Sequence, residues 1–533
     1  MRICLALRGS PARAAQILLC LVAIYAAGVS APVVAAPEAV TISELVAQLP
    51  DGDAVVRDFY RLRGYQSAWH PTDIGILQAS LARAAADGLN PDDYTPVIQG
   101  SPEIRDVNLT RAAVNYLRDM RQGREALRLI DSDVALPQAS FDAAKALNDA
   151  LNANALASLL ADSAPESPDY IHLRDALKLY RGIDNRGGWP NLVLPVQDPA
   201  GLTDRQARSL RDRLAYEEPV LADASAPDLI SALQRFQGRH GLAPSAHIDG
   251  ATIAELNVTA AYRVKQLAAN MERLRWLPRR LEPDHILVNV PDAHLSLVLG
   301  GKEVLASRVV VGKPATPTPI LRAEGAGLTV NPPWNIPESI ARNEILPKLK
   351  ADRSYLKKQD MVLLNGPPGD PYGLSVTWRK IPKGTFPYLI QQHPGGGNPL
   401  GTVKLELPNK FDVYLHDTPA KKYFSQVNRD ISHGCVRVER ILPLASYALS
   451  KTPDDMAVIV DAISRGETKY FPLKRQLPVY FLYQTAFVDA AGTLQLRPDI
   501  YGRDQRMIAM QDAKASSIDA FRMACATASA RRG

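Results

Sequence analysis

Cys435 sits in the run Ser432-His433-Gly434-Cys435-Val436-Arg437, and His416 lies nineteen positions upstream in Tyr414-Leu415-His416-Asp417-Thr418-Pro419. A thiol between a glycine and a β-branched residue, with two imidazoles near it in sequence, has the parts of a nucleophile and its proton acceptor. The chemistry these residue types suit is acyl transfer. Only roughly 3% of a free cysteine is thiolate at neutral pH, whereas a neighbouring imidazole or helix N-terminus can make the thiolate dominant. Gly434 has no Cβ, so it allows a tight turn that leaves the Cys435 amide facing a developing oxyanion.

Two histidines compete for the role of base. In Phe411-Asp412-Val413-Tyr414-Leu415-His416 the residues alternate, which puts Phe411, Val413 and Leu415 on one strand face and Asp412, Tyr414 and His416 on the other. Asp417-Thr418-Pro419 then ends the strand and places His416 at a sheet rim, where loops usually carry chemistry. His433, two residues before the thiol, is the candidate to shape the pocket or support the oxyanion. Two other readings stand beside this one. Cys435 can be a buried thiol with an unrelated surface histidine, or His393, His416, His433 and Cys435 can hold zinc. Paired Cys-x-x-Cys spacing is absent from the chain, which counts against a structural zinc site.

The stretch from Tyr414 to Arg437 resembles the active-site signature of the L,D-transpeptidases with a YkuD-like catalytic domain. The resemblance implies Cys435 as nucleophile and His416 as base, with the imidazole oriented by the main-chain carbonyl of Asp417. It also implies oxyanion amides from Gly434 and Cys435, support from Ser432 and His433, and substrate contacts from Arg437, Tyr414 and Trp334. Many members carry asparagine where Arg437 stands, and a structural ion pair is the competing role for that arginine. Asn331-Pro332-Pro333-Trp334-Asn335-Ile336-Pro337 and Pro394-Gly395-Gly396-Gly397-Asn398-Pro399-Leu400-Gly401 resemble segments of the large, multidomain branch of the family.

The implied reaction joins a donor and an acceptor peptidoglycan stem peptide. Cys435 attacks the diaminopimelate carbonyl of a tetrapeptide stem, D-alanine leaves, and an amine from a second stem resolves the thioester into a 3→3 cross-link. No metal or other cofactor is needed. Water resolving the same thioester would make the protein an L,D-carboxypeptidase, and a non-enzymatic wall-binding protein is the third possibility.

These residues must be positioned by a large scaffold. At 533 residues, with 46% hydrophobic and 22% charged residues, the chain suggests two to four globular domains. The net charge of +6 is mild and its lysines and arginines are scattered, so nucleic-acid binding is unsupported. Arg2, Arg8 and Arg13 precede the apolar stretch Ala14 to Val29, followed by small residues through Pro37, so residues 1–35 read as an export signal cleaved after Ala35. The expected location is the periplasm; an uncleaved membrane anchor is the alternative, disfavoured because the stretch is short for a span. Cys4 and Cys20 fall in this segment, which leaves Cys435 and a lone Cys525 in the mature chain.

The expected fold class is multidomain α+β. A helical scaffold domain over 40–200 includes the aromatic-rich Phe59 to Tyr65 with Trp69, read as core before binding stripe. Residues 202–260 form a small three-helix unit that resembles a peptidoglycan-binding module, with a mere spacer domain as the less favoured alternative. Within it, His240 is expected to face solvent from a turn. A charged amphipathic linker helix over 262–282 closes at Pro278. Short strands with glycine turns make a mainly β catalytic domain over 283–465. Its turn-rich insertion, 342–395, is a candidate lid or a rigid decoration. Residues 466–533 are expected to return and brace the scaffold.

Overall fold

The structure is a computed structural model that describes residues 40–218, 226–450 and 456–514. The expected export segment, Cys4, Cys20 and Cys525 lie outside the described residues. Among the described residues, no helix is long and apolar enough to cross a membrane.

The N-terminal region is helical with its own core. Phe59 and Tyr60 are fully buried there, with the Tyr60 hydroxyl donating to Asp106 Oδ1 at 2.6 Å and Trp69 Nε1 donating to Thr110 Oγ1 at 2.9 Å. Phe59 and Tyr60 are core as their density suggested, Trp69 packs partly buried against them, and Tyr65 departs from the expectation because it is exposed. The Pro168–Asn185 helix starts on a Ser167 cap and packs against the Ala260–Arg275 helix.

The Ala260–Arg275 helix has the sequence of an exposed linker and the environment of a central pillar. Thr259 caps its start, and Arg263, Gln266, Asn270, Glu272, Arg273 and Arg275 are all buried. Each ionic head finds a partner at short range. Glu272 meets Arg124 and Arg275 at 3.0 and 2.8 Å, and Arg273 meets Asp504 at 2.6 Å. Removing one partner of such a pair would strand the other charge in low dielectric, so the helix is locked to the scaffold and to the C-terminal segment together.

The three-helix unit comprises Asp204–Ala215, Ala226–Arg239 and Gly250–Leu256, with Leu229, Leu233 and Phe236 in a separate core. His240 corrects the expectation of a solvent-facing turn residue, because it is only 1% exposed. Its ring stacks on Phe236 at 4.0 Å and bridges Glu255 and Glu217 at 2.6 and 3.1 Å. Burial works against the Glu255 carboxylate, but Arg263 and His240 outweigh it and hold the pKa at about 2.

The strands are β1 (Val134–Ala135), β2 (His285–Asn289), β3 (His294–Leu299), β4 (Lys302–Gly312), β5 (Ile320–Glu324) and β6 (Gly327–Val330). They continue through β7 (Trp334–Ile336), β8 (Met361–Leu363), β9 (Ile390–Gln392), β10 (Val403–Glu406), β11 (Leu415–His416) and β12 (Asp430–Ser432). The last are β13 (Val436–Val438), β14 (Lys469–Pro472), β15 (Pro478–Leu482), β16 (Ala486–Val488) and β17 (Leu494–Leu496). The main sheet runs β1-β5-β15-β2-β3-β4-β13-β11-β10-β6-β14, with β12 paired to β4. Its inner face carries Val288, Leu297, Val309, Leu405, Leu415 and Val436 into one core. β15 is wholly buried between β2 and β5, so the C-terminal segment completes this sheet. The same segment also ties back to the scaffold side through Arg503 on Asp133 at 2.6 Å.

β7, β9 and β8 form a separate small sheet. With the Leu346–Ala351 helix it encloses its own core, in which Trp378 and Phe386 stack with centroids 6.2 Å apart. The insertion is therefore a folded subdomain that begins with the strand bearing Trp334.

Candidate active site

Register assembles the site. β11 and β13 run parallel with Leu415 opposite Val436 and His416 opposite Arg437. Leu415 and Val436 are fully buried in the core, so the alternating residues Tyr414, His416, Cys435 and Arg437 share the outer face. β10 pairs with β11 on its other side and sets Lys404 opposite His416. Lys404 Nζ lies 4.1 Å from the Tyr414 ring centroid and 2.7 Å from Glu406 Oε2. Lys404 was not legible in the sequence, because its place depends on a strand pairing that the sequence does not display.

The turn that presents the thiol is held on all sides. Gly434 has φ +114°, a conformation that side chains rarely adopt, which explains glycine there. Thr318 Oγ1 donates to the Gly434 carbonyl at 2.8 Å, and the Ser432 carbonyl accepts from Lys313 N at 2.9 Å and Thr316 Oγ1 at 3.2 Å. Ser432 Oγ donates to the Cys435 carbonyl at 2.6 Å and accepts from Gly434 N at 3.1 Å. The Gly434 amide is thus engaged within the turn. Among the described residues no acceptor takes the Cys435 amide, which leaves it as the available oxyanion donor.

Cys435 is half-buried, and its thiol donates to the Asp412 carbonyl at 3.6 Å. His416 is 4% exposed, and its ring packs edge-on against Tyr414 with centroids 5.5 Å apart. No direct hydrogen bond joins His416 to Cys435 among the described residues. Electrostatics also differ from the expectation of a thiolate. Burial pushes the Cys435 thiol up, only partly offset by Tyr414 and Lys404. Burial, then the Arg437 charge, pulls His416 down to about 3. The resting pair is neutral thiol and neutral imidazole, because desolvation exceeds every local attraction.

The remaining expected residues divide. The Asp417 carboxylate accepts from Thr402 N and Oγ1, each at 2.9 Å, and from Lys421, so the side chain braces the strand end. The Asp417 backbone favours a protonated His416, but His416 Nδ1 has no partner in hydrogen-bond geometry. The Arg437 guanidinium lies 5.9 Å from the Tyr423 ring centroid, and its Nε has no partner. No carboxylate pairs with Arg437 among the described residues, which removes support from the ion-pair reading. His433 points to the insertion, where its Nε2 lies 2.6 Å from Glu344 Oε1 in the Ala341–Ile345 π-turn. Trp334 pairs with Gln392 in the small sheet and belongs to the insertion.

The zinc alternative finds no geometry. His393 pairs with Asp360 at 3.0 Å, His433 pairs with Glu344, and among the described residues no three His, Cys, Asp or Glu side chains gather as a metal site would need.

Comparison with known proteins matches two segments of the chain. Residues 283–460 match the L,D-transpeptidase catalytic domain, YkuD, and residues 54–177 match a scaffold domain. A Haemophilus influenzae protein assigned to the L,D-transpeptidases is 34% identical over 256 residues, which is 48% of this chain and 50% of that protein. The chain thus spans about half the length of that relative. Among solved structures, Mycobacterium tuberculosis L,D-transpeptidase 1 is 13% identical over 38% of this chain and 61% of that one, with a TM-score of 0.15. An Enterococcus faecium L,D-transpeptidase is 16% identical over 38% of this chain and 50% of that one, also with a TM-score of 0.15. Residues 283–460 thus match an L,D-transpeptidase catalytic domain, joined in this chain to a match to a scaffold domain at residues 54–177.

Proposed function

We propose that the protein is a periplasmic L,D-transpeptidase that forms 3→3 cross-links between peptidoglycan stem peptides through a Cys435 thioester. The observation that carries this reading is the common outer face of Tyr414, His416, Cys435 and Arg437, with a half-buried sulfur that a substrate can approach.

Neutral His416 is competent as a base without first losing a proton. The thiol turns from the Asp412 carbonyl and gives its proton to the imidazole as sulfur bonds to the diaminopimelate carbonyl carbon. The oxyanion faces the Cys435 amide. Collapse breaks the C–N bond, and the departing D-alanine nitrogen takes the proton from His416. The amine of a second stem then attacks the thioester, its proton passes to His416, and the C–S bond breaks to restore the thiol. Arg437 and Lys404 place positive charge where a thiolate develops and where stem carboxylates must lie.

The test is incubation of purified protein with tetrapeptide muropeptides, read by mass spectrometry. Cross-linked dimers that vanish in Cys435→Ala are expected. Tripeptides without dimers would mean a carboxypeptidase, and products unchanged in Cys435→Ala would end the cysteine mechanism.

A further inference from the structure

Two cavities line the outer side of the catalytic sheet, and neither includes Cys435 in its walls. The first, about 990 Å³, lies between the Pro168–Asn185 and Ala260–Arg275 helices, the outer face of β2 and β3, and the β16–β17 hairpin. The second, about 440 Å³, lies between the 241–244 turn of the three-helix unit, residues 290–293 after β2, and the segment 424–430 that leads into β12. They share two wall residues, Asp292 and Arg497, whose ion pair of 2.6 Å stands between them. From this shared wall we infer that the cavities are two halves of one cleft, which seats the glycan strand of the polymer whose stem peptide reaches Cys435. The inference rests on the reaction proposed above and adds the glycan as a separately bound part of its substrate.

Arg497 is fixed by three bodies at once. It is paired to Asp292 of the catalytic domain, and it donates to the Arg239 carbonyl of the three-helix unit at 2.9 Å. Its own chain is the hairpin exit, and its Cδ would stand 2.7 Å from a Cβ at Gly241, where φ is +70°. The three-helix unit is thereby pinned beside the sheet, so the junction is built as a continuous wall.

The lining suits a carbohydrate. Leu287, Val298 and Leu482 make an apolar strip, flanked by Asn289, Ser296 and Gln484. Gln484 is 6% exposed, yet its Oε1 has no hydrogen-bond partner. A buried unpaired acceptor is costly, and a neutral donor such as a hydroxyl or an acetamido N–H satisfies it without importing a charge. A polymer of N-acetylated sugars offers those donors together with methyl groups for the apolar strip.

The second cavity also lies close to the site along the chain. Asp430 lines it and pairs with Val311 as β12 begins, and Ser432 at its end opens the turn to Cys435. The five steps from Asp430 to Cys435 span at most about 18 Å, and three extended stem residues cover about 10 Å before any linker is counted. A glycan seated there would present its stems on the side of the sheet from which the thiol is reached.

The test compares binding with turnover. Glycan strands stripped of their peptides are titrated against the full-length protein, against Ser296→Trp, which fills the first cavity, and against Gln484→Met, which keeps the shape and removes the acceptor. Ser296→Trp is expected to raise the glycan Kd roughly tenfold, and Gln484→Met about fivefold, the worth of one hydrogen bond. Conversion of a tetrapeptide that carries no sugar bypasses the cleft and reports the Cys435 reaction alone. Should Ser296→Trp fail to fold by circular dichroism, Gln484→Met decides alone. Unchanged glycan affinity in the folded variants overturns the cleft. If the wild type converts no soluble substrate, the proposed reaction fails, while the glycan titrations still decide the cleft.

Discussion

Replacing His416 by glutamine should change how the protein responds to acid, in a direction set by the buried ring. His416 is 4% exposed, and burial with the Arg437 charge holds its pKa at about 3 in the folded protein, where an unfolded histidine titrates near 6.5. Between those values the unfolded chain binds a proton that the folded chain does not. Stability linked to this ring is therefore complete above pH ~6.5 and is lost as pH falls towards ~3. At about 1.36 kcal/mol per unit the loss is about 2.7 kcal/mol at pH ~4.5 and levels near 5 kcal/mol below the folded pKa. Glutamine keeps a polar side chain of similar reach and does not titrate. Urea unfolding of both proteins at pH ~7.5 and ~4.5 gives a double difference in which every other titrating group cancels, and the variant should be less acid-sensitive by about 2–3 kcal/mol. Equal acid sensitivity in the two proteins would refute a buried neutral imidazole.

The neutral resting pair predicts that iodoacetamide labelling of Cys435, followed by peptide mapping, climbs with pH and shows no plateau below the ordinary thiol range, since burial raises this thiol. A plateau near neutrality would mean a preformed thiolate. Arg437→Met removes a desolvated cation with no carboxylate partner, so stability should hold within about 1 kcal/mol while the His416 pKa, followed by NMR, moves up. A large loss of stability would show that Arg437 is structural. Glu217→Gln strips His240, Arg213 and Arg239 of a buried carboxylate and should cost about 3–5 kcal/mol in urea unfolding, against under 1 kcal/mol if the cluster were effectively solvated.

Much of the fold was legible where the signal is local. Alternation in Ile286 to Val290 and Leu295 to Leu299 marks strands that the structure places at residues 285–289 and 294–299. The helix before Pro278 was legible from its period, but its burial was not. A helix dense in arginine and glutamate reads as solvated until its partners, Arg124 and Asp504, arrive from far along the chain. His240 fails for the same reason, since Glu217 and Glu255 are distant in sequence and adjacent in space.

The sequence by itself determined the candidate thiol, the histidine that shares its strand face, and the turn that needs glycine, because these follow from side-chain chemistry and a two-residue period. Tertiary structure alone decided that Lys404 stands opposite His416, that Glu344 reaches His433, and that thiol and imidazole rest uncharged. Strand register and insertion packing join residues that no local pattern links. The cost of charge depends on how much water the finished fold excludes, and that quantity exists only once the chain has closed around the site.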